Sequence, residues 1–336
     1  MKILITGAAG FIGFHLVKAL CKAGHKVYGI DNLNDYYPVT LKYSRLAETG
    51  IQEKDITQGR EKQSSIFPNY TFKRLDIADR LSLERLFAAE KFDVVVNLAA
   101  QAGVRYSIIN PYAYIESNVV GFLNIIENCR TYRVGHLIYA SSSSVYGGNT
   151  KVPFAEKDRV DNQVSIYAAT KKTDELFANV YAKLYGLQCT GLRFFTVYGP
   201  WGRPDMAPML FADAILDGKS IKVFNNGDLS RDFTYIDDII EGIVRVIDTK
   251  PQGDIPADVL NIGHGHPMQL MDFIRTLENC LGIEAKKEMY PMQPGDVYTT
   301  YADTTKLENR IGYVPQIDLN EGVSRFVKWY RKYYNR

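Results

Sequence analysis

Cysteine is scarce in this sequence. Cys21, Cys129, Cys189 and Cys280 lie far apart and form no Cys-x-x-Cys pair, which excludes a disulfide framework and a zinc knuckle and leaves free buried thiols. Charge of one sign is also missing: 40 Lys plus Arg against 38 Asp plus Glu leave a formal +2, too little for the sequence-blind attraction to phosphate that marks nucleic-acid binders. No window approaches eighteen uninterrupted apolar residues. The N-terminal MKILITGAAG breaks into glycines where a signal peptide carries an apolar stretch, so no membrane association and a cytoplasmic location are expected. Repeats and low-complexity tracts are absent. His264-Gly-His266 stands in a glycine-flanked loop without further ligands, so no metal is expected.

What is present is a globular composition, 46% hydrophobic and 23% charged. Short apolar runs (KILIT at 2–6, VYGI before Asp31, TFKRL before Asp76, VVVNLAA at 94–100, HLIYASSSS at 136–144) alternate with stretches of helical period. Strands of nearly continuous Val, Ile and Leu between helices predict a parallel sheet covered on both faces, a doubly wound α/β (Rossmann) fold. From about residue 196 prolines crowd together and the elements shorten. The expected division is a dinucleotide-binding domain over 1–195, with some later segments returning to it, and a smaller C-terminal α/β substrate lobe over 196–336. Residues 48–69 form a polar segment without clear period, read as a surface excursion. The helices predicted at about 111–130 and 167–186 are apolar around most of their circumference, so one face covers the sheet and the other is left for a partner subunit.

Gly7, Gly10 and Gly13 lie between the first strand and the first helix, where a tight turn, close approach of a pyrophosphate and close helix–strand packing each need a missing side chain. The spacing is one residue longer than the commonest dinucleotide fingerprint. Asp31, eighteen residues beyond Gly13, ends the second strand, where a carboxylate accepts from ribose hydroxyls and repels a 2′-phosphate, favouring NAD over NADP. Asp76 is placed to meet the adenine, and Ala99 and Ala100 leave room for the dinucleotide. Phe11 and Ile12 in the glycine turn, Asn32, Ile77, Leu98 and Gln101 adjoin these positions and complete the expected cofactor set.

Tyr167 and Lys171, in YAATK, project from one helix face. A phenol titrates near 10, and a neighbouring ammonium favours the phenolate needed for a base at neutral pH. Upstream, Ser141-Ser142-Ser143-Ser144 follows a sheet strand, where ligands bind in open α/β folds. Ser142 is placed there to hydrogen-bond the alcohol that Tyr167 deprotonates. No Gly-x-Ser-x-Gly elbow supports a serine hydrolase.

Together Gly7-x-x-Gly10-x-x-Gly13, Asn97-Leu-Ala-Ala, Ser142 with Tyr167-x-x-x-Lys171, and Arg231-Asp-Phe-Thr-Tyr-Ile-Asp-Asp resemble the extended short-chain dehydrogenase/reductase family acting on nucleotide sugars, over nearly the whole chain. The segments DNLNDYY at 31–37, NLAAQAGVRYS at 97–107, RFFTVYGPWGRPDMA at 193–207 and MQPGDV at 292–297 are similar to members that invert C4 of UDP-glucuronate. The resemblance implies tightly bound NAD, a transient 4-keto sugar, a UDP-uronic acid substrate and a homodimer. The alternative is epimerisation of UDP-glucose, or a related epimerase or decarboxylase. It further implies that Tyr167, Lys171 and Asn118 also belong to the cofactor set, Asn118 supporting the site through backbone and water contacts. Ser143 and Ser144, where dehydratases carry Asp-Glu and decarboxylases a glutamate at the second position, join Thr196 in orienting the carboxylate, with Arg203 supplying charge. Lys222, Val223 and Phe224 would lie beside the uracil, Arg231 at the diphosphate and Asp296 at the uridine ribose. Gln293 stands where relatives often have an arginine. Arg105 is either an anion contact or a surface charge.

Overall fold

The computed structural model describes residues 1–292 and 298–336. Strands β1 (Lys2–Thr6), β2 (Lys26–Asp31), β3 (Glu61–Gln63), β4 (Tyr70–Arg74), β5 (Val94–Asn97), β6 (His136–Ser142) and β7 (Cys189–Phe194) are followed by β8 (Thr196–Tyr198), β9 (Ser220–Phe224), β10 (Ser230–Arg231), β11 (Phe233–Tyr235), β12 (Ala257–Ile262), β13 (Met268–Gln269), β14 (Lys286–Tyr290) and β15 (Thr299–Thr300). The helices are α1 (Phe11–Lys22), α2 (Val39–Glu48), α3 (Arg80–Glu90), α4 (Tyr106–Ile109), α5 (Pro111–Tyr114), α6 (Gly121–Thr131), α7 (Ile166–Tyr185), α8 (Ala207–Leu216), α9 (Ile236–Asp248), α10 (Leu270–Leu281), α11 (Thr305–Ile311) and α12 (Leu319–Tyr334).

The chain divides into two compact units, one of residues 1–149, 159–194 and 240–260, the other of 150–158, 195–239 and 261–336. Residues 240–260 are a later segment grouped with the earlier part, whereas residues 150–158, expected in the first domain, group with the later part. The first unit carries an eight-stranded sheet in the order β12-β7-β6-β5-β1-β2-β4-β3. Pairs β1–β2, β1–β5, β2–β4, β5–β6 and β6–β7 are parallel. The chain moves outward from β1 on one side through β2 and on the other through β5, which makes the carboxyl ends of β1 and β5 the topological switch point. Ile3, Leu4, Ile5, Val95 and Val96 are wholly buried, as strands covered on both faces require. Each such side chain contributes about 1.5–3 kcal/mol relative to exposure.

The polar segment 48–69 is not merely a surface excursion, because β3 within it pairs antiparallel with β4, Glu61 opposite Lys73 and Gln63 opposite Thr71. A three-residue edge strand of charged and polar residues has no apolar alternation to betray it, and charge on an edge discourages pairing with another chain. The expected helix at 111–130 is composite. Asn110 caps α5, a π-helical stretch follows at Ile115–Val120, and α6 continues from Gly121. Helix α7 starts where the Ser165 hydroxyl accepts from the Ala168 N–H at 3.1 Å and stops at Gly186, whose φ of +67° suits glycine.

In the second unit β10 lies between β13 and β15, β8 pairs with β11 and β9 with β14. Its core stacks Phe233 on Phe273 at 4.5 Å between ring centres, with Tyr198 edge-on to both. Among the described residues no helix is long and apolar enough to cross a membrane, and no cluster of three metal-ligating side chains occurs.

Candidate active site

The glycine turn follows β1 directly. Gly7 has φ +70°, and a Cβ there would lie 3.0 Å from the Ala99 N; a Cβ on Gly13 would lie 2.1 Å from the Gly7 carbonyl oxygen. Gly13 therefore excludes a side chain, and at Gly7 one would be strained by the positive φ and crowded against the Ala99 backbone. Gly10 donates to the Gly7 carbonyl at 2.9 Å and begins α1 without a side-chain cap. The first-turn N–H groups of this helix, at Phe11, Ile12 and Gly13, thus have neither an intrahelical acceptor nor a capping side chain. Thr6 fastens the neighbouring strand end: its hydroxyl donates to Asn97 Oδ1 at 2.6 Å and accepts from the Ala99 N–H at 3.0 Å. Leu98, Ala99 and Ala100 follow, all partly exposed.

Asp31 is buried at the end of β2, accepting from the Ala9 N–H at 3.1 Å and the Leu33 N–H at 2.8 Å. Lys42 Nζ stands 3.5 Å from its Oδ1, and the buried Arg45 donates to the Ala9 carbonyl and the Tyr37 hydroxyl. Lys42 and Arg45 escaped the sequence reading, although their i, i+3 spacing in α2 was visible. Asn32 donates to Asp76 at 2.9 Å, which fixes the two positions expected near the adenosine. Ile77 is buried, and its side chain lies where a Cβ on Gly121 would be 2.7 Å away.

Tyr167 and Lys171 lie one turn apart on α7, which packs against β6 and the 143–146 turn. Ser142 ends β6, and its hydroxyl accepts from the Ser144 N–H at 3.1 Å, so it also caps that turn; Ser143 and Ser144 are partly exposed. Asn118, only 1% exposed, is committed inside the protein. Its Oδ1 accepts from the Gln101 N–H at 2.8 Å, and its Nδ2 donates to the Gln101 carbonyl and the Thr170 hydroxyl, each at 3.0 Å. Thr170 donates in turn to the Tyr167 carbonyl at 2.8 Å. Both amide donors of Asn118 are used, so the residue ties the 98–103 loop to the Tyr167 turn instead of reaching toward a cofactor. A π-helical stretch is a common device at functional sites; here it holds the side chain that makes this link. Thr170 and Tyr114 were missed by sequence reasoning. Tyr114 donates to the Ala102 carbonyl at 2.9 Å and meets the Tyr167 ring edge-on at 6.0 Å.

Lys171 Nζ donates to Asp174 at 3.2 Å, both residues being buried. Glu175 faces elsewhere and receives Arg193 through two bonds, of 2.8 and 2.9 Å, and the Ser141 hydroxyl at 2.7 Å. Burial pushes the Glu175 carboxyl up, but these bonds outweigh it and hold it below the ordinary carboxylate range. Arg105 is exposed at the start of α4.

In the second unit Arg203 pairs with Asp205, Nε to Oδ1 at 3.0 Å. Its loop contains Trp201 at φ +64°, a conformation costly for a tryptophan. The Trp201 ring packs on Tyr333 and Trp329 of α12, at 4.9 and 5.3 Å between centres. Arg231 donates to the Ser230 and Tyr298 carbonyls at 2.8 and 3.2 Å. Lys222 is exposed over the Tyr290 ring, and Phe224 packs on the same ring. Val223 is wholly buried in β9, backbone included, so it presents no surface to a ligand; strand alternation puts its side chain on the inner face. Thr196 is partly exposed at the start of β8. Gln293 and Asp296 lie outside the described residues.

A switch-point glycine turn, a carboxylate ending β2, and a Tyr-x-x-x-Lys helix beside a serine-bearing strand end define a doubly wound dinucleotide-binding enzyme. The model of the NAD dependent epimerase/dehydratase family matches residues 3–263, and the chain belongs to that family. It is 49% identical to Protein CapI of Staphylococcus aureus, covering all of both chains, and 45% identical to a probable UDP-glucuronate 4-epimerase of Rhizobium meliloti (strain 1021), covering 100% of this chain and 98% of the relative. Among solved structures it is similar to the UDP-glucuronic acid 4-epimerase of Bacillus cereus in complex with UDP-glucuronic acid and NAD, with TM-score 0.88 and 34% identity over 99% and 100% of the two chains. The residues present fit the family's cofactor. The uncapped N-terminus of α1 suits a pyrophosphate, and Asp31 keeps lone pairs for ribose hydroxyls.

Proposed function

We propose that this enzyme interconverts UDP-glucuronate and UDP-galacturonate by NAD-dependent epimerisation at C4. The observation that carries the proposal is the Tyr167–Lys171 pair on one face of α7, its turn anchored by Thr170 and Asn118, in a chain of this family. Tyr167 takes the proton of the sugar 4-hydroxyl. Lys171 favours the phenolate by its charge, and Ser142 holds a hydrogen bond to the same alcohol oxygen. NAD, when bound on the α1 turn and Asp31, supplies a reversible hydride acceptor for C4. Proton and hydride both return, so the reaction is redox-neutral.

Ser143 and Ser144 carry only hydroxyls, so the turn after β6 offers no carboxylic acid for water elimination. These hydroxyls suit a carboxylate kept in the plane of its ring carbonyl, where a β-keto acid resists losing carbon dioxide. In the second unit Thr196, Arg203, Lys222, Phe224 and Arg231 remain the substrate candidates, the arginines for anionic oxygens. The enzyme is assigned to the cytoplasm, in keeping with four free cysteines. It is further proposed to be a homodimer through α4–α6 and α7, where Ile108, Ile109, Tyr112, Leu176, Val180 and Leu184 are exposed.

Incubating the purified protein with UDP-glucuronate and, in parallel, UDP-glucose, with products resolved by NMR, tests the assignment. UDP-galacturonate is expected from the first. A pentose with released carbon dioxide, or turnover of the neutral sugar alone, overturns it. Tyr167→Phe is expected to lower turnover by about 10²–10⁴-fold with bound NAD retained.

A further inference from the structure

Asp174 has no part in the chemistry above, yet it is the nearest charge to Lys171 that the structure shows. Its carboxylate is 1% exposed. Oδ2 accepts from Lys171 Nζ at 3.2 Å, while Oδ1 is buried without a hydrogen-bond partner among the described residues. On α7 Asp174 follows Lys171 by three positions, about one turn, and Tyr167 precedes Lys171 by four, so the three residues share one side of the helix in the order Tyr167, Lys171, Asp174. A carboxylate in such a place is not a stability device, since an ion pair this deeply buried recovers little more than its desolvation cost and leaves an oxygen unpaired.

We propose that Asp174 is a positioning residue that sets how much of the Lys171 charge reaches Tyr167. Ionised, it offsets the ammonium; protonated, it leaves the full charge to favour the phenolate. Burial pushes the Asp174 carboxyl up to about 7, against the pull of Lys171, and the nearby Glu175 adds to the rise. The switch therefore falls within the working range of an enzyme at neutral pH. The other charged and titratable groups around it are accounted for. Glu175 is neutralised by Arg193 of β7 and by Lys172. Tyr139 of β6 is held well above the phenol range by burial, then by Glu175, Cys189 and Asp174. Tyr146 of the 143–146 turn faces Arg193.

Because the ionised carboxylate offsets the ammonium on which the phenolate relies, loss of the Asp174 proton works against the acid limb of turnover and is coupled to it. The acid limb of the wild-type pH–rate profile is then shallower than a one-proton titration. In Asp174→Asn, which keeps an acceptor for Lys171 but no charge, the limb steepens to one proton and moves down by about one pH unit.

The assignment rests on Tyr167 as the base, and the experiment separates the two. Turnover of UDP-glucuronate is measured between pH 5 and 9 for wild type and Asp174→Asn, with bound NAD quantified in each. A steeper limb displaced to lower pH supports the assignment. An unmoved limb, or an equal fall in turnover at every pH with NAD retained, overturns it, the latter marking a merely structural residue. Should the variant not fold, the wild-type limb alone decides: unit slope overturns the coupling and a shallower one supports it. Wild type without turnover overturns the functional assignment and this one with it, whereas wild-type turnover with an unmoved limb overturns this one only.

Discussion

Asn118 has little freedom in the candidate site. Its carboxamide makes three hydrogen bonds in a place 1% exposed, and each buried group left unpaired by its loss costs about 1–3 kcal/mol. Asn118→Ala strips the Gln101 N–H and carbonyl and the Thr170 hydroxyl of a partner at once. Thermal unfolding is expected to drop by several degrees, on the order of 2–4 °C per kcal/mol for a unit of this size. Turnover should fall further than substrate binding, because the loop bearing Ala99 loses its tie to the Tyr167 turn. Melting curves and a separation of kcat from KM check both. The glycines were legible because their chemistry is local: a short spacing between strand and helix already states what must be missing. Asn118 was legible only as an oddity, a polar residue in an apolar helix. Its partners lie 17 and 52 positions away, and no pattern along the chain announces them.

Among the elements, α7 has to satisfy two demands. Its inner side buries Ala168, Thr170, Lys171, Asp174, Glu175, Ala178 and Ala182, while Leu176, Val180 and Leu184 remain outside. Ile108 of α4 and Tyr112 of α5 are 78% and 83% exposed. An apolar stripe opposite an already buried face is what an isologous helical interface needs. Val180→Glu combined with Leu184→Glu is expected to give a monomer in sedimentation analysis, with little change in the monomer's circular dichroism. An unchanged sedimentation coefficient overturns the proposed homodimer through these helices. Helix 111–130 was expected whole and is composite, since helical period is the same on both sides of a π-helical turn and the inserted residue shifts only the register. Strand β3 was unseen because three polar residues, E-K-Q, acquire strand geometry from β4 and not from their own propensity.

At the scale of the molecule, buried titrating groups link stability to pH. A carboxyl raised to about 7 when folded and ordinary when unfolded takes up its proton first in the native state. Between about pH 4 and 7 the folded protein therefore binds the extra proton, and this group's contribution to stability is lost as pH rises through that window. Glu175, depressed by Arg193, has the opposite sign: its contribution is present above the ordinary carboxylate range and is lost as pH falls. Replacing Asp174 by Asn removes the first effect alone. Midpoints of thermal unfolding measured from pH 5 to 8 should show the variant gaining on wild type as pH rises, and a difference that does not vary with pH contradicts the placement of that carboxyl.

The sequence by itself determined the alternation of strands and helices, the glycine turn, the carboxylate that ends β2 and the Tyr-x-x-x-Lys face. All of these are periodicities or short spacings that the backbone enforces locally. Only the tertiary structure decided that Asn118 spans from loop to helix, that Val223 turns inward, that β3 closes the sheet edge, that Lys42 and Arg45 stand beside Asp31, and that residues 150–158 belong with the later part of the chain. Those outcomes depend on which distant groups share a low-dielectric interior, where a polar atom must find a partner or leave its charge behind, and that partner is fixed by packing instead of by position in the chain.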